Sequence, residues 1–172
     1  MKKLIIFMCL LLFSVQVQAQ NSSLSNVLLR KLDGSKIYAS ELGNHDKPFI
    51  ISFWATWCKF CLSELNTISP IYSQWQKETG VKLIAVSTDR EPKDGFVRRF
   101  VQKRKWPYEI YIDSQKSLSQ HFKIQDIPHT IIVDSTGHIL WQKIGFNPGD
   151  EAEIIQAYRQ ITTPKSNNIK YE

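Results

Sequence analysis

Cysteine is scarce in this 172-residue chain. There are three, at positions 9, 58 and 61, too few for a scaffold stapled by disulfides. Histidine is as sparse, with His45, His121, His129 and His138 in no metal-finger spacing. Seven Gly and seven Pro exclude collagen-like or linker composition, and no internal repeat or low-complexity segment appears. Charge of one sign is not abundant either. The net +6 is mild, and it does not argue for nucleic acid as a partner. What remains is an ordinary globular balance, 42% hydrophobic and 22% charged, at a length that suits one domain.

The first nineteen residues read as an address. Met1-Lys2-Lys3 gives a positive start, residues 4–15 are apolar apart from Ser14, and Val17-Gln18-Ala19 offers a small residue for cleavage. The apolar run is short for a bilayer span, so the order fits a secretory signal peptide over 1–19, with an uncleaved anchor as the alternative. Cys9 and two lysines leave with it, and the net charge falls to +4. The expected location is the periplasm or the medium, where disulfides persist. The only two remaining thiols, Cys58 and Cys61, are three positions apart, too close to staple distant parts of the chain.

The hydrophobic patterning predicts an α/β domain, followed by a polar, frayed tail over 162–172. Asp33-Gly34 between 26–32 and 35–39 signals a hairpin with a type I′ turn. Residues 48–54 form a near-continuous apolar run, as in a strand buried on both faces. A helix follows from Cys58, with the stripe Cys61, Leu65, Ile68, Tyr72, Trp75; Pro70 should kink it and Gly80 end it. A strand over 81–87 precedes a helix capped by Asp94, with Phe96, Val97, Phe100 and Val101 inward. A short strand over 108–112, a short helix over 116–122 and strands over 130–134 and 138–144 come next. Asp150 caps a last helix with Ile154, Ile155, Tyr158 and Ile161 inward. The order predicts a mixed central sheet with helices on both faces and an N-terminal hairpin.

Cys58-Lys59-Phe60-Cys61 falls where a buried strand gives way to a helix. A sulfur at the helix N-terminus meets unpaired N–H groups and the positive end of the macrodipole, so Cys58 is favoured as a thiolate. Lys59 adds charge. Cys61 lies on the buried stripe. Cys58 is thus the attacking sulfur, and Cys61 closes the Cys58–Cys61 redox disulfide and resolves mixed ones. A zinc site would need two more ligands, and haem attachment would need His at Leu62. A copper-binding module using Cys58, Cys61 and His129 is kept as an alternative of another class.

Phe53-Trp54-Ala55-Thr56-Trp57-Cys58-Lys59-Phe60-Cys61, with Ile127-Pro128-His129-Thr130 and Glu64, resembles the TlpA/ResA-like extracytoplasmic thiol–disulfide oxidoreductases. The resemblance covers about residues 24–161 and implies a domain of thioredoxin-like fold there, with no cofactor or metal. It implies a cis Ile127–Pro128 bond beside the cysteines, with the Ile127 backbone pairing with a substrate strand. A strand-start proline is the plainer reading of Pro128. The family places an acid at Glu64. That residue stands one turn beyond Cys61, where a partly buried carboxyl could exchange the Cys61 proton; the plainer reading is a solvated first-turn Glu. The buried acid of cytoplasmic thioredoxins would fall at Ser52. The resemblance also implies reduction of disulfides in exported proteins, such as cysteines awaiting haem attachment, by a monomer recharged by a membrane electron donor. An oxidase or isomerase on the same scaffold is the alternative.

Other residues are read more plainly. Trp54 belongs to the core, and Trp57 lines the rim and contacts partners. His129 is a strand histidine in ordinary contacts. Arg98, Arg99 and Lys103 form a solvated helix face.

Overall fold

The computed structural model describes residue 24 and residues 27–43, 47–91 and 93–163. The segment read as a signal peptide and most of the expected polar tail lie outside them. Among the described residues no helix is long and apolar enough to cross a membrane.

Among the described residues seven strands form one mixed sheet. They are β1 Leu28–Lys31, β2 Lys36–Tyr38, β3 Phe49–Trp54, β4 Leu83–Ser87, β5 Glu109–Ile112, β6 His129–Val133 and β7 Ile139–Ile144, in the spatial order β2-β1-β5-β4-β3-β6-β7. The helices are α1 Lys59–Ile68, α2 Tyr72–Thr79, α3 Asp94–Arg104, α4 Ser117–His121 and α5 Asp150–Thr162. β3 runs parallel to β4 and antiparallel to β6, and every residue of β3 is buried. Its apolar residues divide by strand alternation. Ile50 and Trp54 join Cys61, Leu65, Ile68, Tyr72, Val97, Ile154 and Tyr158 in one core, under α1, α2, α3 and α5. Phe49, Ile51 and Phe53 join Leu29, Leu42, Leu118 and Phe122 in the other, under α4 and the N-terminal hairpin. Among the described residues α-helices therefore cover both faces, four on one and α4 on the other, where the short 3-10 helix Ala39–Glu41 also packs.

Local details differ from the expectations in five places. The hairpin forms, but only Gly34 of the turn has positive φ, at +94°. Lys31 N–H donates to the Ser35 carbonyl and Gly34 N–H to the Lys31 carbonyl, which is a three-residue loop ending in a left-handed glycine rather than a type I′ turn. Pro70 breaks the helix instead of kinking it. Lacking an N–H, it cannot donate to Asn66, and α1 stops at Ile68 before α2 resumes at Tyr72. Neither Asp94 nor Asp150 is an N-cap; the caps are Lys93 and Gly149, and both aspartates sit in the first turn. Asp150 still serves the helix start, accepting the Asn147 N–H at 2.8 Å. Phe96 is 49% exposed, because Val97 and Val101 supply the inward face of α3 and leave it at the margin. Finally, Arg98 is half-buried on that helix, whereas Arg99 and Lys103 are exposed.

The aromatic residues of α3 and its exit tie down α1 and the end of β3. Phe100 and Trp106 pack on Trp54 at 6.0 and 5.1 Å between centroids. Trp106 Nε1 donates to Asn66 Oδ1 at 3.0 Å, so the end of α3 is fastened to α1.

Candidate active site

The site is built where β3 ends. The chain leaves Trp54, turns through Ala55-Thr56-Trp57, and enters α1 with Cys58 as its N-cap, φ −85° and ψ 101°. Cys58 N–H donates to the Ala55 carbonyl at 3.1 Å. Its own sulfur accepts the Cys61 N–H at 3.2 Å, so the cap acceptor of this helix is the sulfur itself. Cys58 and Cys61 are joined in a disulfide, with Cα atoms 5.3 Å apart. Cys61 is fully buried, and Cys58 is 6% exposed. In this oxidised state the bond folds the Cys58 sulfur back over the helix start, so it too is nearly enclosed. Lys59 next to it is exposed.

The expected neighbour is in place. The Ile127–Pro128 peptide is cis, and the Ile127 carbonyl oxygen lies 3.8 Å from Cys58 Sγ. Pro128 is buried and Ile127 half-buried. Trp54 is wholly buried, and Trp57 stands 68% exposed beside the disulfide. Phe60, inside the Cys pair, is 62% exposed and extends the apolar rim. Ile144, paired across the strands with His129, is 60% exposed at the Pro128 end of β7. Neither Phe60 nor Ile144 was singled out from the sequence, because apolar residues normally go inside.

Glu64 is not a solvated first-turn residue. It is 1% exposed on the inner face of α1, one turn beyond Cys61. Its Oε1 accepts hydrogen bonds from Ser52 Oγ and from Thr130 Oγ1, each at 2.7 Å. Burial pushes the Glu64 carboxyl above its ordinary range, the two hydroxyls oppose that, and Asp150 raises and Lys143 lowers it further. Close by, the Tyr108 hydroxyl donates to the Leu65 carbonyl, and burial together with the Glu64 charge pushes that phenol up.

A second buried acid holds the loop. Asp89, 1% exposed just after β4, accepts from Thr56 N–H and Thr56 Oγ1 at 2.8 Å each, and from Ser87 Oγ at 2.9 Å. The sequence carries no local signal for Asp89, which reaches the cysteine loop only because β3 and β4 are neighbours.

His129 is buried, with Nε2 3.2 Å from Gln142 Oε1. Burial pushes its imidazole down, toward the neutral form. Strand alternation turns it to the sheet face opposite Thr130 and Glu64. Among the described residues no three His, Cys, Asp or Glu side chains gather as a metal would require.

The model of the AhpC/TSA family matches residues 15–142, some three-quarters of the chain. The chain belongs to the AhpC/TSA family. Among its relatives is the protein of Bacillus thuringiensis named thiol-disulfide oxidoreductase ResA, 28% identical over 139 residues, 81% of this chain and 76% of that one. Two solved structures are also similar. A thioredoxin-like protein of Porphyromonas gingivalis is 39% identical, with a TM-score of 0.68 over 78% of this chain and 88% of that one. StoA of Bacillus subtilis is 25% identical, with a TM-score of 0.61 over 75% and 94%. This AhpC/TSA-family chain is thus an enzyme of the thiol–disulfide oxidoreductase class, with a thioredoxin-like fold. The paired cysteines are the chemistry that class requires.

Proposed function

We propose that this protein reduces disulfides of exported proteins outside the cytoplasm. Cys58 thiolate attacks a substrate disulfide, and one substrate thiolate leaves. Cys61 then gives up its proton to Glu64 and attacks Cys58 Sγ, closing the Cys58–Cys61 bond and expelling the second substrate sulfur as a thiolate, which takes a proton from water. Two electrons pass from the enzyme dithiol to the substrate. A dithiol donor, expected to be a membrane thiol–disulfide transporter, returns them. Substrate approaches over Trp57 and lies along the Ile127–Pro128 backbone, whose Ile127 carbonyl faces the attacking sulfur; the enzyme acts as a monomer.

The observation that carries this reading is the asymmetry of the two sulfurs. One caps a helix and touches the loop with the cis-proline; the other is fully enclosed. Export is supported by the charged, apolar, small-residue order of positions 1–19. The test is a pair of variants. Cys58→Ser should abolish reduction of a protein disulfide, and Cys61→Ser should accumulate covalent partners at Cys58. Undiminished turnover by both variants contradicts the reading. Direction is tested separately: reductase duty requires a Cys58–Cys61 potential below about −250 mV, and a value near −120 mV would make the protein an oxidant.

A further inference from the structure

Ser52 is the one polar side chain in β3, whose other residues are Phe49, Ile50, Ile51, Phe53 and Trp54. It is fully buried. Its direct cross-strand partner is Thr130 on β6, itself 1% exposed. Residues opposite each other on antiparallel strands share a face, so two hydroxyls stand side by side among the apolar residues at the middle of the sheet. Both donate to the same atom, Glu64 Oε1, rather than one to each carboxylate oxygen. Packing alone does not call for this, since apolar residues of similar size would fill β3 and β6 and spare the desolvation of two hydroxyls.

We propose that Ser52 and Thr130 are positioning residues that hold Glu64 by its Oε1 and thereby direct the proton it exchanges with Cys61 to Oε2. This rests on the role given to Glu64 under the proposed function. A proton on Oε1 would force one of the two hydroxyls to surrender its bond, whereas a proton on Oε2 leaves both intact. The pair also supports the ionised carboxylate, the form that can take the Cys61 proton. Other groups bear on Glu64 from the surrounding elements. Asp150 at the start of α5 disfavours its charge, Lys143 on β7 favours it, and the Tyr108 phenol before β5 lies within its field. Ser52 and Thr130 are the groups that touch it, so their removal should be felt most directly.

The test uses the reduced full-length protein and dithiobis(nitrobenzoate), an aryl disulfide that releases a coloured thiolate. The first release reports attack by Cys58, and the second reports resolution by Cys61. In the wild type the second phase should rise with pH along a limb set by Glu64. Ser52→Ala and Thr130→Val should each move that limb up by about one pH unit, the roughly tenfold difference between a hydrogen bond to the ionised carboxylate and one to the neutral carboxyl, with the first phase unmoved. Thr130→Ser, which keeps the hydroxyl, should restore the wild-type limb. In a Glu64→Gln background neither variant should shift anything. An unmoved limb in Ser52→Ala and Thr130→Val, with the limb abolished by Glu64→Gln, overturns the positioning role and leaves Glu64 its own. A limb that survives Glu64→Gln overturns both. Should Thr130→Val fail to fold, Ser52→Ala removes a single oxygen and carries the same test. NMR titration of the Glu64 carboxyl carbon in the oxidised protein adds a readout without turnover; it should titrate higher in Ser52→Ala, and an unchanged titration overturns the proposal.

Discussion

Replacing Asp89 by alanine should loosen the cysteine loop without touching a sulfur. The Asp89 carboxylate receives three hydrogen bonds, from the Thr56 N–H, the Thr56 hydroxyl and the Ser87 hydroxyl. The two hydroxyls can turn toward other acceptors. The Thr56 N–H is fixed by the backbone, and leaving such a donor unsatisfied costs about 1–3 kcal/mol. Bonds to a charged acceptor contribute about 1.5–3 kcal/mol each, partly regained when the hydroxyls reorient. The sum points to a loss of about 3 kcal/mol, a large share of the ~5–15 kcal/mol typical of a domain. Asp89→Asn should lose less, because its amide oxygen still accepts, while its NH2 faces a donor. The assay is urea unfolding of the oxidised protein, read by tryptophan fluorescence, with the rate of Cys58 attack on an aryl disulfide measured alongside. Both stability and attack rate should fall for Asp89→Ala, with Asp89→Asn between it and the wild type. A loss under about 1 kcal/mol with an unchanged attack rate would refute the idea that Asp89 anchors the loop.

Two other outcomes follow from burial and exposure. Because burial raises Glu64, the folded state holds its proton more tightly than the unfolded chain does. The Glu64 contribution to stability is therefore fullest below the ordinary value of 4.5 and is lost as pH climbs through the raised folded value. Glu64→Gln should thus be more stable than wild type near neutral pH, with the gap in urea midpoint closing at about pH 4; a gap independent of pH contradicts the assignment. Trp57→Ala removes a side chain that is 68% exposed, so stability should change by no more than about 0.5 kcal/mol. Its kcat/KM on a protein disulfide should drop about fivefold or more while that on a small aryl disulfide holds, and equal losses on both would remove Trp57 from the partner surface.

Much of this was legible in the chain, for identifiable reasons. β3 and β4 are apolar runs that only a sheet covered on both faces can accept, and both lie there. The stripe from Cys61 to Trp75 is buried throughout, although Pro70 divides it into two helices. Cys58 could be placed at a helix start because the strand and the stripe bracket it. What could not be read depends on contacts far apart in sequence. Glu64 meets Thr130 across 66 positions, and Thr56 meets Asp89 across 33, and no local pattern announces either pair. Ser52 was visible as a polar break in an apolar strand, but its partner was not. Cap residues were misplaced by one position at α3 and α5. An aspartate in the first turn and one at the cap both complement the helix dipole, so composition alone does not separate them.

Disulfide exchange by this enzyme requires the two sulfurs to be chemically unequal once reduced. Alkylation of the reduced protein by iodoacetamide, resolved by cysteine with mass spectrometry across a pH series, measures this directly. Cys58 should be labelled first, with its half-maximal rate at a pH below the free-thiol value of about 8.5, while Cys61 stays protected. Equal labelling of both sulfurs, at the rate and pH dependence of an ordinary thiol, would contradict it.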